Sequence, residues 1–379
     1  MEAVAPRILS QAERLAWLRL IRTENVGPIT FRQLLRRFGS AGAALDALPD
    51  LARRGGRARP IRICPAAAAR DEIGAIEALD ARLLTLFEPD YPPALAALDD
   101  APPVITCFGH PHLLQRHAVA MVGARNASAN GCRLARLIAA ELGTNGLLVV
   151  SGMARGIDAA AHQGALDTGT VAVVAGGIDV IYPEENAALY GEIKARGVVL
   201  SEMPVGTVPQ ARHFPRRNRL ISGIAMGTLV VEAAPRSGSL ITARCALDQG
   251  REVFAVPGSP LDPRARGCND LIRQGAVLVE SAADVLKTLA PSLRVTASEP
   301  KMADFQGAEP IPIEESEVAK GRGAVEELLS PTPAAVDEVI RQCQVSATIV
   351  HVVLLELELA GRLERHPGNR VSLIAGAPA

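Results

Sequence analysis

Five polar turns between residues 121 and 258 follow short apolar runs, and their glycine, serine and arginine residues suit the binding of phosphate. In a parallel sheet, the turns from strands to helices open at one edge, where unpaired N–H groups of helix N-termini attract anions. Arginine adds a planar group that can donate two hydrogen bonds to one phosphate. That phosphate could belong to a nucleotide, a cofactor or a polynucleotide. The turns span residues 123–128, 151–158, 175–179, 216–219 and 235–242.

Arg125 and the segment 212–219 have the clearest chemistry. Arg125 follows a buried apolar run, where a guanidinium adds little packing but can bind phosphate; a salt bridge to an aspartate is the alternative. The segment 212–219 holds four arginines and Phe214, whose ring could stack on a base, although a charge run can also be a solvated face. Ser237 and Gly238 could form a nest of N–H groups. The residues predicted to bind phosphate or bases are Gly123, Arg125, Ser151, Gly152, Arg155, Gly156, Arg212, Phe214, Arg216, Arg217, Asn218, Arg219, Ser237 and Gly238.

The first turn does not match the dinucleotide fingerprint. Arg125 and Ser128 stand where GxGxxG needs its second and third glycines, and Ser151 stands where an acidic residue would bind a ribose. A Walker Gly-Lys-Ser/Thr loop is also missing from the sequence. We therefore predict no NAD and no ATP hydrolysis, and we expect no cofactor.

The alternative function is that of an enzyme acting on a nucleotide. The turn 235–242 resembles the PGGxGTxxE signature of nucleoside monophosphate phosphoribohydrolases, but Ala243 stands where that signature has its glutamate. Asp158, an expected helix N-cap, shares one helix face with His162, yet neither a nucleophile nor a third metal ligand accompanies them. We read this pair as structural and predict no catalytic and no metal site.

The apolar runs predict the sheet that would carry these turns. Continuous, β-branched runs alternate with helical stretches, which is typical of a parallel sheet covered by helices on both faces. Hydrophobic residues make up 48% of the chain and aromatic residues only 3%, so the core must be aliphatic. The predicted strands lie at residues 83–87, 104–108, 118–122, 147–150, 170–174, 197–200, 228–231, 252–256 and 276–279.

The predicted fold class is α/β, with an extended Rossmann-like parallel-sheet core at residues 76–290. Residues 1–75 form a helical domain that resembles SAM-like or helix-hairpin-helix modules, and its turn at 25–30 is either a DNA contact or a plain helical turn. Residues 291–320 read as a linker, and 321–379 as a winged helix. Its third helix carries Glu356 and Glu358 where a recognition helix presents basic or amide groups, so we expect the winged helix to be a protein-contact or self-contact module rather than a binder of duplex DNA.

The overall composition restricts the class of protein. A net charge of −1 argues against coating nucleic acid through bulk positive charge, although it allows a local basic groove. The six cysteines are scattered without a CxxC pair, which predicts reduced thiols. Neither a signal peptide nor a run of about 18 apolar residues occurs, so we expect a cytoplasmic protein with no membrane partner.

Seven motifs in one order closely resemble the DprA family, the DNA-processing proteins of natural transformation. They are VGARNAS, SGMARGIDAAAH, GGIDVIYPEEN, LSEMP, FPRRNRLISG, EAAPRSGSLITA and FAVPG. The resemblance covers residues 82–290 strongly and the flanking domains weakly. It implies a homodimer that binds single-stranded DNA and loads the RecA recombinase during competence and DNA recombination, with no enzymatic activity.

Carried over by motif, the resemblance points to Arg125, to the loop 151–156, to the segment 216–219 and to the turn at 237–238. We expect Arg125 and the helix N-termini after the second and fifth turns to hold phosphates, while Phe214 forms a lip over the bases. One departure is Glu184-Glu185 after Tyr182-Pro183, where many members of the family carry a basic residue. This departure suggests that the protein binds DNA more weakly, or that segment 212–219 contributes a larger part of the affinity.

Overall fold

The protein is described by a computed structural model covering residues 8–295, 315–366 and 368–374. It divides into two compact units. One unit runs onward from Asp71 and contains the large sheet, while the other combines Leu9–Arg70 with the C-terminal residues. The boundaries of the four predicted segments stay predictions.

The elements follow one another in the order that the apolar pattern requires. The strands are β1 Arg82–Thr85, β2 Val104–Gly109, β3 Ala118–Gly123, β4 Leu148–Ser151, β5 Thr170–Val173, β6 Val198–Ser201, β7 Gly227–Val231, β8 Glu252–Ala255, β9 Val277–Leu278, β10 Ala334–Ala335, β11 Leu363–His366 and β12 Arg370–Leu373. The helices are α1 Gln11–Ile21, α2 Pro28–Phe38, α3 Ala41–Arg54, α4 Ala66–Ala78, α5 Pro93–Ala96, α6 Ala129–Thr144, α7 Ile157–Ala165, α8 Ala187–Arg196, α9 His213–Ile224, α10 Ser239–Asp248, α11 Arg266–Arg273, α12 Ala282–Val295, α13 Glu315–Leu328, α14 Val336–Gln342 and α15 Ala347–Leu359.

The large sheet has nine strands in the order β1-β2-β6-β5-β4-β3-β7-β8-β9. β1, β2 and β6 pair antiparallel, whereas all pairs from β6 to β9 are parallel. The chain moves from β3 through β4 and β5 to β6, then returns to the other side of β3 at β7. This reversal makes a topological switch point at the carboxyl end of β3.

The sequence-based prediction of the fold is confirmed. Each of the nine predicted runs overlaps a strand of the sheet, because runs of four or five mostly apolar residues can be buried on both faces in such a layered arrangement. One buried cluster joins strands such as β3, β4 and β7 to helices α6, α7 and α12. Its members are almost all aliphatic, as the composition requires.

Two local expectations were wrong or incomplete. The segment 216–219 is not a turn, because it lies inside α9, which begins at His213. Pro215 fits the first turn of this helix, where backbone N–H groups have no helical partner. The predicted linker 291–320 is helical at both ends, in α12 and α13, and its remaining residues lie outside the described residues.

The smaller unit joins both ends of the chain through α15. A Cβ on Gly55, the residue after α3, would overlap the backbone oxygen of Glu356 in α15 and lie 2.8 Å from Ala360 Cβ. Asn25 Nδ2 donates to the Leu359 carbonyl at 3.2 Å. Arg362 Nη1 donates to the Gly55 carbonyl at 3.2 Å.

Helix α15 is buried on two sides, which explains why most of its residues are apolar. Its inner face belongs to the winged-helix core with β11 and β12, whereas Leu355 and Leu359 are buried outside that core. Glu356, 1% exposed, pairs with Arg322. The third helix of the winged helix therefore contacts the N-terminal helices. Among the described helices, none has the length and apolar character needed to cross a bilayer.

Candidate nucleic-acid interface

A small pocket opens at the carboxyl ends of β4 and β5, and two aromatic rings stand over it. Gly152 after β4 and residues 174–176 after β5 line its base, with Tyr182, Pro209 and Phe214 around them. The ring centroids of Tyr182 and Phe214 are 5.8 Å apart, and their planes are tilted by 56°. Parallel strands thus bring loops that are far apart in sequence to one apolar recess.

Two guanidinium groups flank Phe214. The Arg125 guanidinium carbon, on the exposed turn after β3, lies 5.3 Å from the Phe214 ring centroid. The Arg217 guanidinium carbon lies 6.0 Å from the same centroid, and Arg217 also lines the pocket. A cation this close to an aromatic face is attracted by the ring quadrupole. The recess therefore combines positive charge with an apolar surface, as a base and its phosphate require.

Arg217 is buried near the buried carboxylate of Asp158, whose negative charge it stabilises. It is 7% exposed, and Nη1 donates to the carbonyl oxygens of Gly152 and Val173. A Cβ on residue 152 would lie 2.8 Å from both the Arg217 guanidinium carbon and Asp158 Oδ2, so only glycine leaves room for this pair. Burial lowers the pKa of Arg217 to about 10, and the charge of Asp158 opposes that change.

Asp158 is the buried acidic residue whose charge interacts with that of Arg217. Burial raises the pKa of its carboxyl, while the charge of Arg217 and hydrogen bonds from the Ala154 and Gly152 backbone oppose the rise. The N-cap of α7 is Gly156 rather than Asp158, which lies one residue inside the helix and accepts from Ala154 N at 3.2 Å. The predicted N-cap was therefore wrong.

Three further predicted contacts have their polar groups engaged inside the protein. Arg219 donates to both carboxylate oxygens of Glu202 at 2.7 Å and also contacts Asp100. The Ser151 hydroxyl is fully buried and donates to the Met121 carbonyl at 2.6 Å. Asn218 is buried, and its amide donates to the Gly238 carbonyl at 3.4 Å. The side chains of Arg219, Ser151 and Asn218, like that of Arg217, already bond within the protein, and their direct contact with a ligand stays a prediction.

Five further predicted residues are not among those that line the pocket. Arg212 and Arg216 are exposed at the start of α9, and Gly238 is exposed at the start of α10. Arg155 forms an ion pair with Glu185 at 3.1 Å, so one of the two acidic residues after Pro183 already engages a predicted phosphate ligand. The Ser237 hydroxyl lies 2.7 Å from the Ser239 hydroxyl.

Gly123 and Gly156 bring two of the turns together. A Cβ on Gly123 would overlap the Val231 carbonyl and lie 2.6 Å from Ile157 Cγ1. Gly156 has a φ of 74°, and a Cβ there would lie 2.7 Å from the Arg125 carbonyl. Both glycines are therefore required for packing, and Gly156 holds the loop after β4 against the backbone of Arg125.

The switch point itself is closed by the protein's own carboxylate. Glu232, directly after β7, accepts from Ser128 N at 2.8 Å and from the Ser128 hydroxyl. A Cβ on Gly131 would lie 2.6 Å from Glu232 Cδ, so this carboxylate covers the first turn of α6. Glu232 adopts a left-handed φ of 54°, which costs a residue with a side chain about 1–2 kcal/mol. The helix end that holds phosphate in dinucleotide-binding folds is thus already filled.

His162 lies in the same buried layer as Asp158 and is neutral. It is fully buried, and its Nδ1 lies 2.8 Å from the Thr170 hydroxyl, which itself donates to the Val149 carbonyl at 2.8 Å. The Thr170 hydroxyl must therefore accept from Nδ1–H, which fixes the tautomer. Burial, with the charge of Arg217 adding to it, lowers the pKa of His162 to about 3.

Acid should destabilise the large unit through His162. Because the folded-state pKa of about 3 lies below the unfolded value, the unfolded chain alone takes up a proton as the pH falls from about 6.5 towards 3. Between pH 7 and pH 5 we expect the wild type to lose about 2 kcal/mol more unfolding free energy than His162→Gln. Urea titrations followed by circular dichroism measure this difference, with the exposed His112→Gln as the control. Parallel pH profiles for His162→Gln and wild type would refute it.

Sequence reasoning missed Tyr182, Glu232 and the pairing of Arg217 with Asp158. The only available signal for Tyr182 was a tyrosine among three in the whole chain, placed in a loop after a strand. Glu232 likewise stands directly after a strand, but its left-handed backbone is not readable from sequence. Among the described residues, no cluster of three histidine, cysteine, aspartate or glutamate side chains could hold a metal.

Comparison with protein families gives three adjoining matches. The family described as DNA recombination-mediator protein A matches residues 82–290. The DprA-like N-terminal HHH domain matches residues 11–75, and the DprA winged helix domain matches residues 309–369.

Individual proteins agree with these matches. Protein Smf of Escherichia coli K12 is 40% identical over 291 residues, which is 75% of each chain. The X-ray structure of DNA processing protein A from Streptococcus pneumoniae has a TM-score of 0.60 and 34% identity, and the match covers 74% of this chain and 98% of that one. The structure of DNA processing protein A from Helicobacter pylori, which concerns its single-stranded DNA binding mode, has a TM-score of 0.52 and 29% identity over 56% and 96% of the two chains.

Proposed function

Because the chain belongs to the family of DNA recombination-mediator protein A, also called DprA, we propose that it binds single-stranded DNA at the recess formed by Tyr182, Phe214 and Arg125. The observation that carries this proposal is the exposed Arg125 guanidinium, 5.3 Å from the Phe214 ring centroid beside an apolar pocket. A phosphate can pair with the guanidinium while its base meets an aromatic ring of the recess. Structural work on the Helicobacter pylori relative concerns the same class of ligand.

The finer parts of the proposal come from the family. We propose that the protein acts as a cytoplasmic homodimer that loads RecA onto the bound strand during DNA uptake and recombination. We also propose binding without catalysis, since Asp158 and His162 are buried and make their hydrogen bonds within the protein, Asp158 with Ala154 N and His162 with Thr170. Little sequence preference is expected, because phosphate contacts fix position without reading bases.

The nucleotide-enzyme alternative is disfavoured by Glu232. A mononucleotide in this fold would place its phosphate at the switch point, where the Glu232 carboxylate already accepts from Ser128 N. Displacing that carboxylate would leave two negative groups near one helix end. The pocket beside Phe214 is separate from this position, because it is lined by the loops after β4 and β5.

Arg125→Ala is expected to weaken single-strand binding about 10- to 150-fold at low salt, because a charge-assisted hydrogen bond contributes about 1.5–3 kcal/mol. With about three phosphates contacted, the wild type should show a log-log salt slope of roughly −2, and the variant should lose about 0.7 of it. Fluorescence anisotropy of labelled single strands and duplexes across a salt series measures both quantities.

The matched control is Arg196→Ala. Arg196 is 48% exposed and pairs with Asp167 near the amino ends of the strands, so it changes the same charge at the opposite edge of the sheet. Its salt slope should equal that of the wild type. Equal weakening by both variants, or equal binding of single strands and duplexes, would refute binding at this recess.

A further inference from the structure

Phe214 is the aromatic residue that sequence singled out, but its ring is largely occupied. It is half-buried, with the Arg125 guanidinium carbon 5.3 Å and the Arg217 guanidinium carbon 6.0 Å from its centroid. A base that stacked on the Arg125 side would have to displace a guanidinium from the ring face. Phe214 is thus well placed to hold Arg125 in position, and the recess needs another open ring.

Tyr182 presents that open ring. It is 51% exposed, and it is the single aromatic residue among the large hydrophobic side chains exposed in the described part of the chain. Soluble proteins bury most of their aromatic surface, so a lone exposed ring beside two arginines needs an explanation. Tyr182 lines the same pocket as Phe214 and Arg217.

The geometry of the two rings specifies how a base would bind. A base sandwiched between two rings requires them to be parallel, whereas the Tyr182 and Phe214 planes are tilted by 56° with centroids 5.8 Å apart. The rings form a corner instead, in which Phe214 carries the guanidinium of Arg125 and Tyr182 leaves a face open. A nucleotide could then place its phosphate at Arg125 and its base on Tyr182.

We propose that Tyr182 is a base-stacking residue of this site and supplies the part of the affinity that depends on bases rather than on phosphates. This inference rests on the proposed single-stranded DNA binding and assigns a second aromatic residue to it. Stacking tolerates every base, since each has a π-face, so the residue adds affinity without sequence preference.

The test compares an oligothymidylate with an abasic oligonucleotide of the same length, which keeps the phosphates and removes the bases. Tyr182→Leu should weaken binding of the oligothymidylate about 5- to 100-fold, from the usual size of base–aromatic stacking. It should leave the salt slope and the affinity for the abasic strand unchanged, because no phosphate contact is lost. Tyr182→Phe, which keeps the ring, should bind like the wild type, and circular dichroism verifies that both variants fold.

The other possible results each contradict a specific part of the proposal. If Tyr182→Leu binds oligothymidylate like the wild type, or weakens both strands equally, Tyr182 does not stack on a base. If the wild type binds neither strand, the proposed DNA-binding function itself fails, which the wild-type measurement reports separately.

Discussion

Replacing Arg217 with alanine is expected to lower the free energy of unfolding by about 3–5 kcal/mol, because an uncompensated buried charge is that costly. The variant leaves Asp158, 6% exposed, without its counter-charge and leaves the Gly152 and Val173 carbonyls without a donor. Arg217 thus belongs to the folding core of the site. Loss of DNA binding in Arg217→Ala would follow from this instability rather than from a lost phosphate contact.

The double variant Arg217→Ala/Asp158→Asn separates charge from packing. Removing the stranded carboxylate should recover part of the lost stability, because a neutral amide is cheaper to bury than a carboxylate. Exposed Arg216→Ala, one residue away, should change stability by less than about 0.5 kcal/mol. Urea titrations of the four proteins measure these effects. A stable Arg217→Ala that loses only DNA binding would restore the sequence-based interpretation of Arg217 as a direct ligand.

Gly55→Ala is expected to destabilise the smaller unit by about 1–3 kcal/mol through overpacking. The φ of Gly55 is −70°, which alanine adopts freely, so the cost is purely steric: the added Cβ would overlap the Glu356 carbonyl. Gly42→Ala, in α3, is the matched control, because its added Cβ would meet only Ser40 Oγ at 4.0 Å. That control should stabilise the unit by about 0.5–1 kcal/mol, since alanine favours helix over glycine.

Hydrogen exchange distinguishes a local effect from a coupled one. If α3 and α15 form one cooperative body, amides of both helices should exchange faster in Gly55→Ala and slower in Gly42→Ala. Faster exchange confined to α3 would show that the contact between Gly55 and Glu356 does not couple the two ends of the chain.

The fold was predictable because a strand that is buried on both faces must be apolar at nearly every position. Runs such as 118–122 and 228–231 contain no polar alternation, and this excludes one-sided strands. The start of α9 was missed for a local reason. Pro215 indicates a turn in most contexts, and only its position in the first helical turn makes it compatible with a helix.

The site was less predictable because a sequence shows which residues are charged but not which of them are buried. Arg125, Arg216, Arg217 and Arg219 read alike, yet two are exposed, one compensates Asp158 and one is clamped by Glu202. Whether a side chain of α9 is buried depends on the helix face on which it lies. That face could not be assigned from the sequence, because the start of the helix was not recognised. Arg125 was placed correctly in a turn after a buried strand, and the structure shows that it is exposed there.

The contact of Gly55 with α15 also constrains how the protein is made. Synthesis delivers the N-terminal helices first, but the residues that cover Gly55 and Asn25 leave the ribosome only after the whole nine-stranded sheet has been translated. Domains fold largely as they emerge from the ribosome, so the sheet should be folded before the N-terminal helices can pack against α15. Nascent chains should therefore expose the α3 surface to chaperones and proteases while the sheet is being translated, and cover it only after α15 has emerged.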